Sequence, residues 1–272
     1  MHTVKHSIEQ VAENLPPITL EEMSSIRLMN RTDQKYLTDL ATLYRLLELA
    51  RGSYFIQDIN GLRICPYATT YWDDEQHSMF RCHQAGHRPR TKVRVRTYVN
   101  SGLSFLEVKQ KDNHGKTAKT RISIPSINDV ITGKIGHEFV HNTSGLSLQL
   151  LKPTVGNRFN RITLVNYAKT ERLTIDFDLH FYNTETQAEQ TMPNIAVIEL
   201  KRDGRVPSPI LPILRELRIK PAGFSKYCIG AALTIDSLPV NRFKKRLIKI
   251  RKIADRQQPE ITSNLDTYTK PQ

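Results

Sequence analysis

The sequence predicts an α+β fold built on a closed eight-stranded antiparallel β-barrel, a tunnel with a basic lumen and helices packed on its outside. Three observations lead to this prediction. Polar and apolar residues alternate strictly in a central stretch, residues 90–121; the same alternation returns after Pro153; and helical periodicity follows each group of strands. An antiparallel sheet with one apolar and one charged face can bury the apolar face under helices by closing around the charged one.

The central stretch is the clearest of these patterns. Taken in steps of two, cations on one face alternate with valine and leucine on the other, and turns at 100–102 and 112–115 separate three strands. The charged positions are Lys92, Arg94, Arg96, Glu107, Lys109, Lys111, Lys119 and Arg121. An ordinary solvated sheet face is the simpler alternative. Packing like charges side by side costs on the order of a few kcal/mol per close pair, and a bound polyanion would remove that cost.

The other elements follow in chain order. Residues 1–18 are expected to be a flexible lead, because residues 1–17 are polar and end in two prolines. A strand at 26–37 precedes an amphipathic helix at 39–51 with glycine as its stop. Asn60-Gly61 predicts a hairpin between strands at 53–59 and 62–73, and a helix at 75–85 ends at a further glycine.

The second half repeats this organisation. Residues 126–151 are expected to be helical with glycine interruptions, followed by strands at 154–166, 170–182 and 193–202. A helix at 208–217 and, after a turn at 221–227, a short helix through Leu233 then complete a main domain expected to span 19–238. A basic helix is expected at 239–256, either packed on the barrel or lying on a membrane surface, and a disordered tail at 257–272.

Composition narrows the function. The net charge of +13 over 272 residues favours anionic partners such as nucleotides, phosphate chains, nucleic acid or an anionic membrane surface. The three cysteines have no paired spacing, which is typical of a reducing, cytoplasmic environment. The N-terminus has no apolar run fit for a signal peptide, and no run approaches transmembrane length.

Seven short runs, in this order, resemble those of the vacuolar transporter chaperone (VTC) catalytic domain, the polyphosphate-polymerase branch of the triphosphate tunnel metalloenzymes. They are residues 31–36, 92–98, 105–109, 160–163, 172–176, 198–201 and 224–227, and the resemblance covers roughly residues 25–235. It implies a metal-dependent phosphotransferase that adds the terminal phosphate of ATP to a growing inorganic polyphosphate chain inside the tunnel. A separate membrane-protein partner would then couple the product to a membrane, and the oligomeric state stays open.

The resemblance also implies roles for residues of this chain. The implied phosphate-binding cations are Lys35, Arg94, Arg96, Lys109, Lys119, Arg161, Arg172, Lys201 and Lys226, and Glu199 is the implied ligand of one Mn²⁺ or Mg²⁺. Two positions depart from the family's pattern. Arg31 stands where hydrolytic relatives carry an acid, which favours polymerase over simple triphosphate hydrolysis. Gly223 stands where some relatives place a second lysine, which suggests a weaker grip at that end.

Other functions compete with this interpretation. A hydrolase of the same fold and a non-catalytic polyphosphate or nucleotide sensor would use the same cations. Residues 137–141 match the His-Glu-x-x-His pattern of zinc metallopeptidases, although the sequence places no third ligand nearby. Nucleic-acid binding would also use the net charge, but aromatic residues are few at 7%, so stacking platforms are not evident and we expect no nucleic-acid partner.

Overall fold

The strands form a single sheet. The structure is a computed structural model that describes residues 2–24, 26, 31–204 and 206–256. The strands are β1 (Pro17–Ile18), β2 (Arg31–Thr38), β3 (Tyr54–Gln57), β4 (Cys65–Asp73), β5 (Arg90–Tyr98), β6 (Ser104–Lys111), β7 (Thr117–Ile124), β8 (Lys152–Asn166), β9 (Glu171–Asn183), β10 (Glu189–Met192) and β11 (Ala196–Asp203).

The main path of the sheet has the order β2-β11-β9-β8-β4-β5-β6-β7, eight strands joined by antiparallel pairs. The sheet curls into an open half-barrel with helices around it. The α+β class and the antiparallel sheet are therefore confirmed. Closure is not shown, since β2 and β7, the two ends of the path, do not pair with each other in the described part of the chain.

Nine α-helices lie among the described residues: α1 (His2–Asn14), α2 (Leu20–Ser24), α3 (Leu40–Ala50), α4 (Ser78–Ala85), α5 (Ile127–Thr132), α6 (Lys134–Ser144), α7 (Ile210–Glu216), α8 (Lys226–Thr234) and α9 (Lys244–Ala254). Short 3₁₀ turns cover Leu148–Leu150 and Asn241–Phe243. Capping follows the sequence: Asp39 accepts from the Thr42 N–H at the start of α3, and Ser225 accepts from the Cys228 N–H at the start of α8.

The core lies between the apolar face of the sheet and the helices. On β5 and β6 the alternate residues Val93, Val95, Leu106 and Val108 are at most 2% exposed. This confirms the apolar face predicted from the period of two. A second cluster joins the apolar residues of β8, β9 and β11 to α1, α3 and α7. Helices thus hold the sheet from its apolar side and leave the charged side facing inward.

Residues 2–14 correct the expected flexible lead. They form α1, whose residues Val4, Ile8, Val11 and Ala12 are at most 4% exposed and pack in one cluster with α3. The following Leu15 is buried as well, and Arg63 donates to its carbonyl at 3.1 Å. The i, i+4, i+7 spacing of these residues is that of a helix with one apolar stripe, which outweighs the polar composition.

The hairpin predicted at Asn60-Gly61 is also corrected. Both residues do have positive φ, and Ile59 and Leu62 form a short bridge. However, β3 and β4 do not pair with each other; β3 pairs with residues 164–166 of β8, and β4 pairs with residues 152–161. Because β8 is 15 residues long, its edge accommodates both strands end to end.

The C-terminal helix packs on the domain. Phe243, Ile250 and Ile253 are at most 4% exposed and belong to the same apolar cluster as Phe80 of α4. Of the two expectations for this helix, the structure therefore shows the packed one. Residues 257–272, where a disordered tail is expected, lie outside the described residues, and the domain limits at 19 and 238 stay predictions.

Candidate functional site

Cations from seven strands and one helix lie on the inner, concave face of the sheet. In an antiparallel pair, residues directly opposite each other share a face. The register places Lys35 opposite Glu199, Lys201 opposite Arg172, and Lys109 opposite both Lys92 and Lys119. The structure thus brings the predicted set to one face of one sheet, with Lys226 added from α8: Lys35, Arg94, Arg96, Lys109, Lys119, Arg161, Arg172, Lys201 and Lys226.

Asp176 is a carboxylate on this face that two cations hold in place. Its two oxygens accept from Nε and Nη2 of Arg161 at 2.5 and 2.8 Å, and the Lys226 ammonium donates to it as well. Burial alone would raise the pKa of Asp176, but the charges of Arg161 and then Lys226 outweigh it and hold the pKa well below the usual range. Asp176 is therefore ionised and fixes both cations in position.

Glu107 has the same role for a second pair. The carboxylate accepts from Arg94 Nε at 2.7 Å and from Lys119 Nζ at 2.9 Å, and its side chain is only 1% exposed. Burial works against ionisation, yet Arg94 and Arg96 hold the pKa of Glu107 at about 2. The charged form therefore persists at neutral pH.

Glu199, the predicted metal ligand, lies between two lysines. Lys201 Nζ is 3.2 Å and Lys35 Nζ 3.7 Å from its oxygens. Burial raises the pKa of Glu199, but the charges of Lys35 and Lys201 outweigh this effect and hold the pKa well below the usual range. An ionised carboxylate is a suitable hard ligand for Mg²⁺ or Mn²⁺. No group of three His, Cys, Asp or Glu side chains converges in the described ranges.

Cations on this face outnumber the carboxylates. Burial, followed by like charges nearby, lowers the pKa of Lys109 to about 8, with Lys35 as the largest such charge. The pKa values of Lys92 and Lys226 are also lowered to about 8, in both cases chiefly by burial. For Arg96, burial and then the charges of Arg94 and Arg161 lower the pKa to about 10. The binding of an anion to this surface is therefore favourable, because it offsets the repulsion between the cations.

Two stacked aromatic rings form part of the wall. The centroids of Tyr67 and Phe159 are 5.4 Å apart with the rings nearly parallel. The Arg161 guanidinium lies 5.0 Å from the Tyr67 centroid, and the Lys226 ammonium lies 4.2 Å from that of Phe159. The rings hold the two cations in place without neutralising them.

Sequence reasoning assigned no role to Asp176, Glu107, Tyr67 or Phe159. Asp176 could have been found, because it lies four residues after Arg172 and so on the same face of β9. Glu107 was recognised as inward-facing but not as the partner of Arg94. The aromatic pair had no sequence signal, since Tyr67 and Phe159 are far apart in the chain and meet only through the β4–β8 register.

The His-Glu-x-x-His run lies on α6, where Glu138 pairs with Lys134 at 3.7 Å. His137 and His141 are one helical turn apart, but no third ligating residue joins them among the described residues. A zinc centre of the peptidase type needs three protein ligands. The described residues therefore do not supply the three ligands of such a centre.

Comparison with known proteins places the chain in a family. The family model described as "VTC domain" matches residues 30–235, and no curated protein matches. Similar solved structures include HpAC1 from Hippeastrum, described as having a dominant triphosphatase activity (16% identity, 78% of this chain and 99% of that one, TM-score 0.46). A candidate adenylate cyclase from Bacillus halodurans is 14% identical over 72% of this chain and 96% of that one, with a TM-score of 0.45.

These structural likenesses are too distant to carry a functional argument. The family match is different, because it covers most of the chain and spans every strand from β2 to β11. It includes all nine predicted cations and Glu199. The resemblance found in the sequence is thereby confirmed, and the chain belongs to the VTC domain family.

Proposed function

We propose that this protein is a metal-dependent polyphosphate polymerase that transfers the γ-phosphate of ATP to a growing polyphosphate chain. The observation that carries the proposal is the excess of positive charge on the concave face, where three lysines have pKa values lowered to about 8. Membership of the VTC domain family supports triphosphate or polyphosphate chemistry at this face. A row of phosphates would offset the repulsion between the neighbouring cations and would be attracted by all of them.

The residues suit the demands of phosphoryl transfer, which asks a protein mainly for positioning and charge compensation. Arg94 and Arg161, each held by a carboxylate, would present the remaining donors of their forks to phosphate oxygens. Lys35, Lys109 and Lys226 would add point charges. The other proposed phosphate ligands are Arg96, Lys119, Arg172 and Lys201.

Glu199 would hold Mn²⁺ or Mg²⁺ together with phosphate oxygens of the substrate. When bound there, the ion would supply charge neutralisation of those oxygens. Lys201 and Lys35 lie against the same carboxylate, so they would remain beside the phosphates that the ion contacts. This arrangement needs only one carboxylate from the protein, as is common for magnesium sites completed by substrate phosphates.

We also propose that the sheet closes around its substrate into an eight-stranded tunnel. The edges β2 and β7 carry Lys35 and Lys119, and a phosphate chain lying between these cations would draw the edges together. No described helix is both long and apolar enough to cross a membrane. Cytoplasmic location and a separate membrane partner stay predictions.

Incubation with ATP and Mn²⁺, followed by sizing of the phosphate products, tests the proposal. Long chains are expected from the wild-type protein and not from Arg161→Ala, which removes the fork held by Asp176. Orthophosphate or tripolyphosphate as the sole product would replace the polymerase with a hydrolase. Tight polyphosphate binding without turnover would replace it with a sensor.

A further inference from the structure

The segment just before α8 is surrounded by cations that the roles proposed above only partly use. Lys35 Nζ donates to the Phe224 carbonyl at 3.1 Å, and Lys92 Nζ donates to Ser225 Oγ at 3.0 Å. The next residue is Lys226, which contacts Asp176. Cations from β2, β5 and α8 thus meet within three consecutive residues of the chain.

A fourth cation reaches this segment from α9. Gly223 has no side chain, and Cζ and Nη2 of Arg246 lie 3.7 Å from the position that its Cβ would occupy. The Arg246 guanidinium is therefore within van der Waals contact distance of the Cβ position of residue 223. The family resemblance suggested that Gly223 weakens the grip at this end, but the structure places a cation from another element there.

The direction of Arg246 is set by its helix. It lies three residues after Phe243, four before Ile250 and seven before Ile253, all of which are at most 4% exposed. Residues with this spacing share one face of a helix, so Arg246 lies on the face that packs against the domain. Its own side chain is nevertheless exposed, which leaves the guanidinium accessible to a ligand.

The anchors of α9 hold this face in place. The rings of Phe80 and Phe243 are 5.7 Å apart, and Arg242 donates to the Ala85 carbonyl at 2.9 Å. At the far end of the helix, Arg256 donates to Asp39 at 3.0 Å. The whole helix lies beyond the residues matched by the family model, which end at 235. The cation that this helix supplies therefore lies outside the residues that the family model matches.

Two of these cations have no carboxylate partner among the described residues. Neither Lys92 nor Arg246 forms an ion pair with a carboxylate in the described part of the protein. Partial burial, and then the charges of Lys92, Arg90 and Arg246, lower the pKa of His83 to about 2. His83 is therefore neutral, and its Nδ1 forms a hydrogen bond with the Cys228 thiol, 3.0 Å away.

We propose that Arg246, with Lys35 and Lys92, forms an outer phosphate subsite that holds phosphates of a chain longer than three units. The inference deepens the proposed function and rests on it. The subsite adjoins the central cations through Lys35, which lies 3.7 Å from Glu199, and through Lys226, which contacts Asp176. A triphosphate held by the central cations, Lys35 among them, would not need Arg246 or Lys92, whereas a longer chain would contact these as well.

Calorimetric titration of the full-length protein with inorganic tripolyphosphate and with long-chain polyphosphate tests the subsite without requiring turnover. Arg246→Gln is expected to weaken long-chain binding roughly fivefold, the effect of losing one accessible charged contact, while tripolyphosphate binding stays unchanged. Arg246→Lys, which keeps the charge, is expected to retain most of the affinity. Arg251→Gln is the matched control, because Arg251 is five residues further on, on the opposite side of the helix.

Each outcome separates the subsite from the proposed function. Unchanged long-chain affinity in Arg246→Gln, with Arg161→Ala impaired for both ligands, overturns the subsite and leaves the proposed function standing. Equal weakening for both ligands also overturns it, since Arg246 would then belong to the triphosphate site. If Arg251→Gln weakens long-chain binding as much as Arg246→Gln, the effect is one of net helix charge and the subsite is wrong. A wild-type protein that binds neither ligand overturns both proposals.

Discussion

Asp176→Asn removes one negative charge from between two cations and offers a direct measure of the crowding on the concave face. Arg161 and Lys226 are only 14% and 11% exposed, so the variant leaves two largely buried cations without their shared carboxylate. Breaking a buried ion pair on one side costs about 3 kcal/mol or more. For a chain of this size we therefore expect the melting temperature to fall by roughly 6–12 °C.

Tripolyphosphate should reverse most of this loss, because the variant's two cations become available to phosphate oxygens. Thermal unfolding with and without the ligand measures the effect. The matched control is Asp178→Asn on the same strand; Asp178 pairs with Lys5 at a partly exposed site, where an ion pair contributes at most about 1 kcal/mol. A variant as stable as the wild type, or one that tripolyphosphate stabilises no more than the wild type, would refute the reasoning.

Three further predictions follow from the same charges. Since the pKa values of Lys109 and Lys226 are lowered to about 8, these lysines lose their protons as the pH rises through that value. Affinity for tripolyphosphate should therefore fall from about pH 8 upward in titrations at a series of pH values. Glu199→Gln should abolish metal-dependent turnover in the product-sizing assay while changing tripolyphosphate affinity little. The pKa of Glu107 is lowered from 4.5 to about 2. The ionised carboxylate therefore contributes its full stabilisation above pH 4.5, and this contribution is lost as the pH falls from 4.5 toward about 2. In urea unfolding, Glu107→Gln should lose less stability than the wild type over that pH range.

The faces of the strands were predictable from the sequence because side chains alternate with a period of two. Val93 and Leu106 are buried and Arg94 lies inward, as the alternation predicts. The pairing order was not predictable, because β2 and β11 are separated by most of the chain and meet only through tertiary structure. Local signals also misled at Asn60-Gly61, where the turn forms but β8 outcompetes the hairpin pairing.

The cations of the site could be predicted, but their partners could not. Every predicted cation lies on the concave face. The strand period and the family resemblance were enough to predict this. The partners Asp176 and Glu107, and the contact of Arg246 with the Gly223 position, depend on register and on how helices pack. The four-residue strand β10 was missed because three of its residues are exposed and show no apolar pattern.

A crystal structure of the protein with bound tripolyphosphate would test the central claim most directly. The account predicts phosphates on the concave face, in contact with Arg94, Arg161 and Lys226, and the β2 and β7 edges drawn closer together. Phosphates bound elsewhere, for example along the outer cations of α9 with the concave face empty, would contradict it.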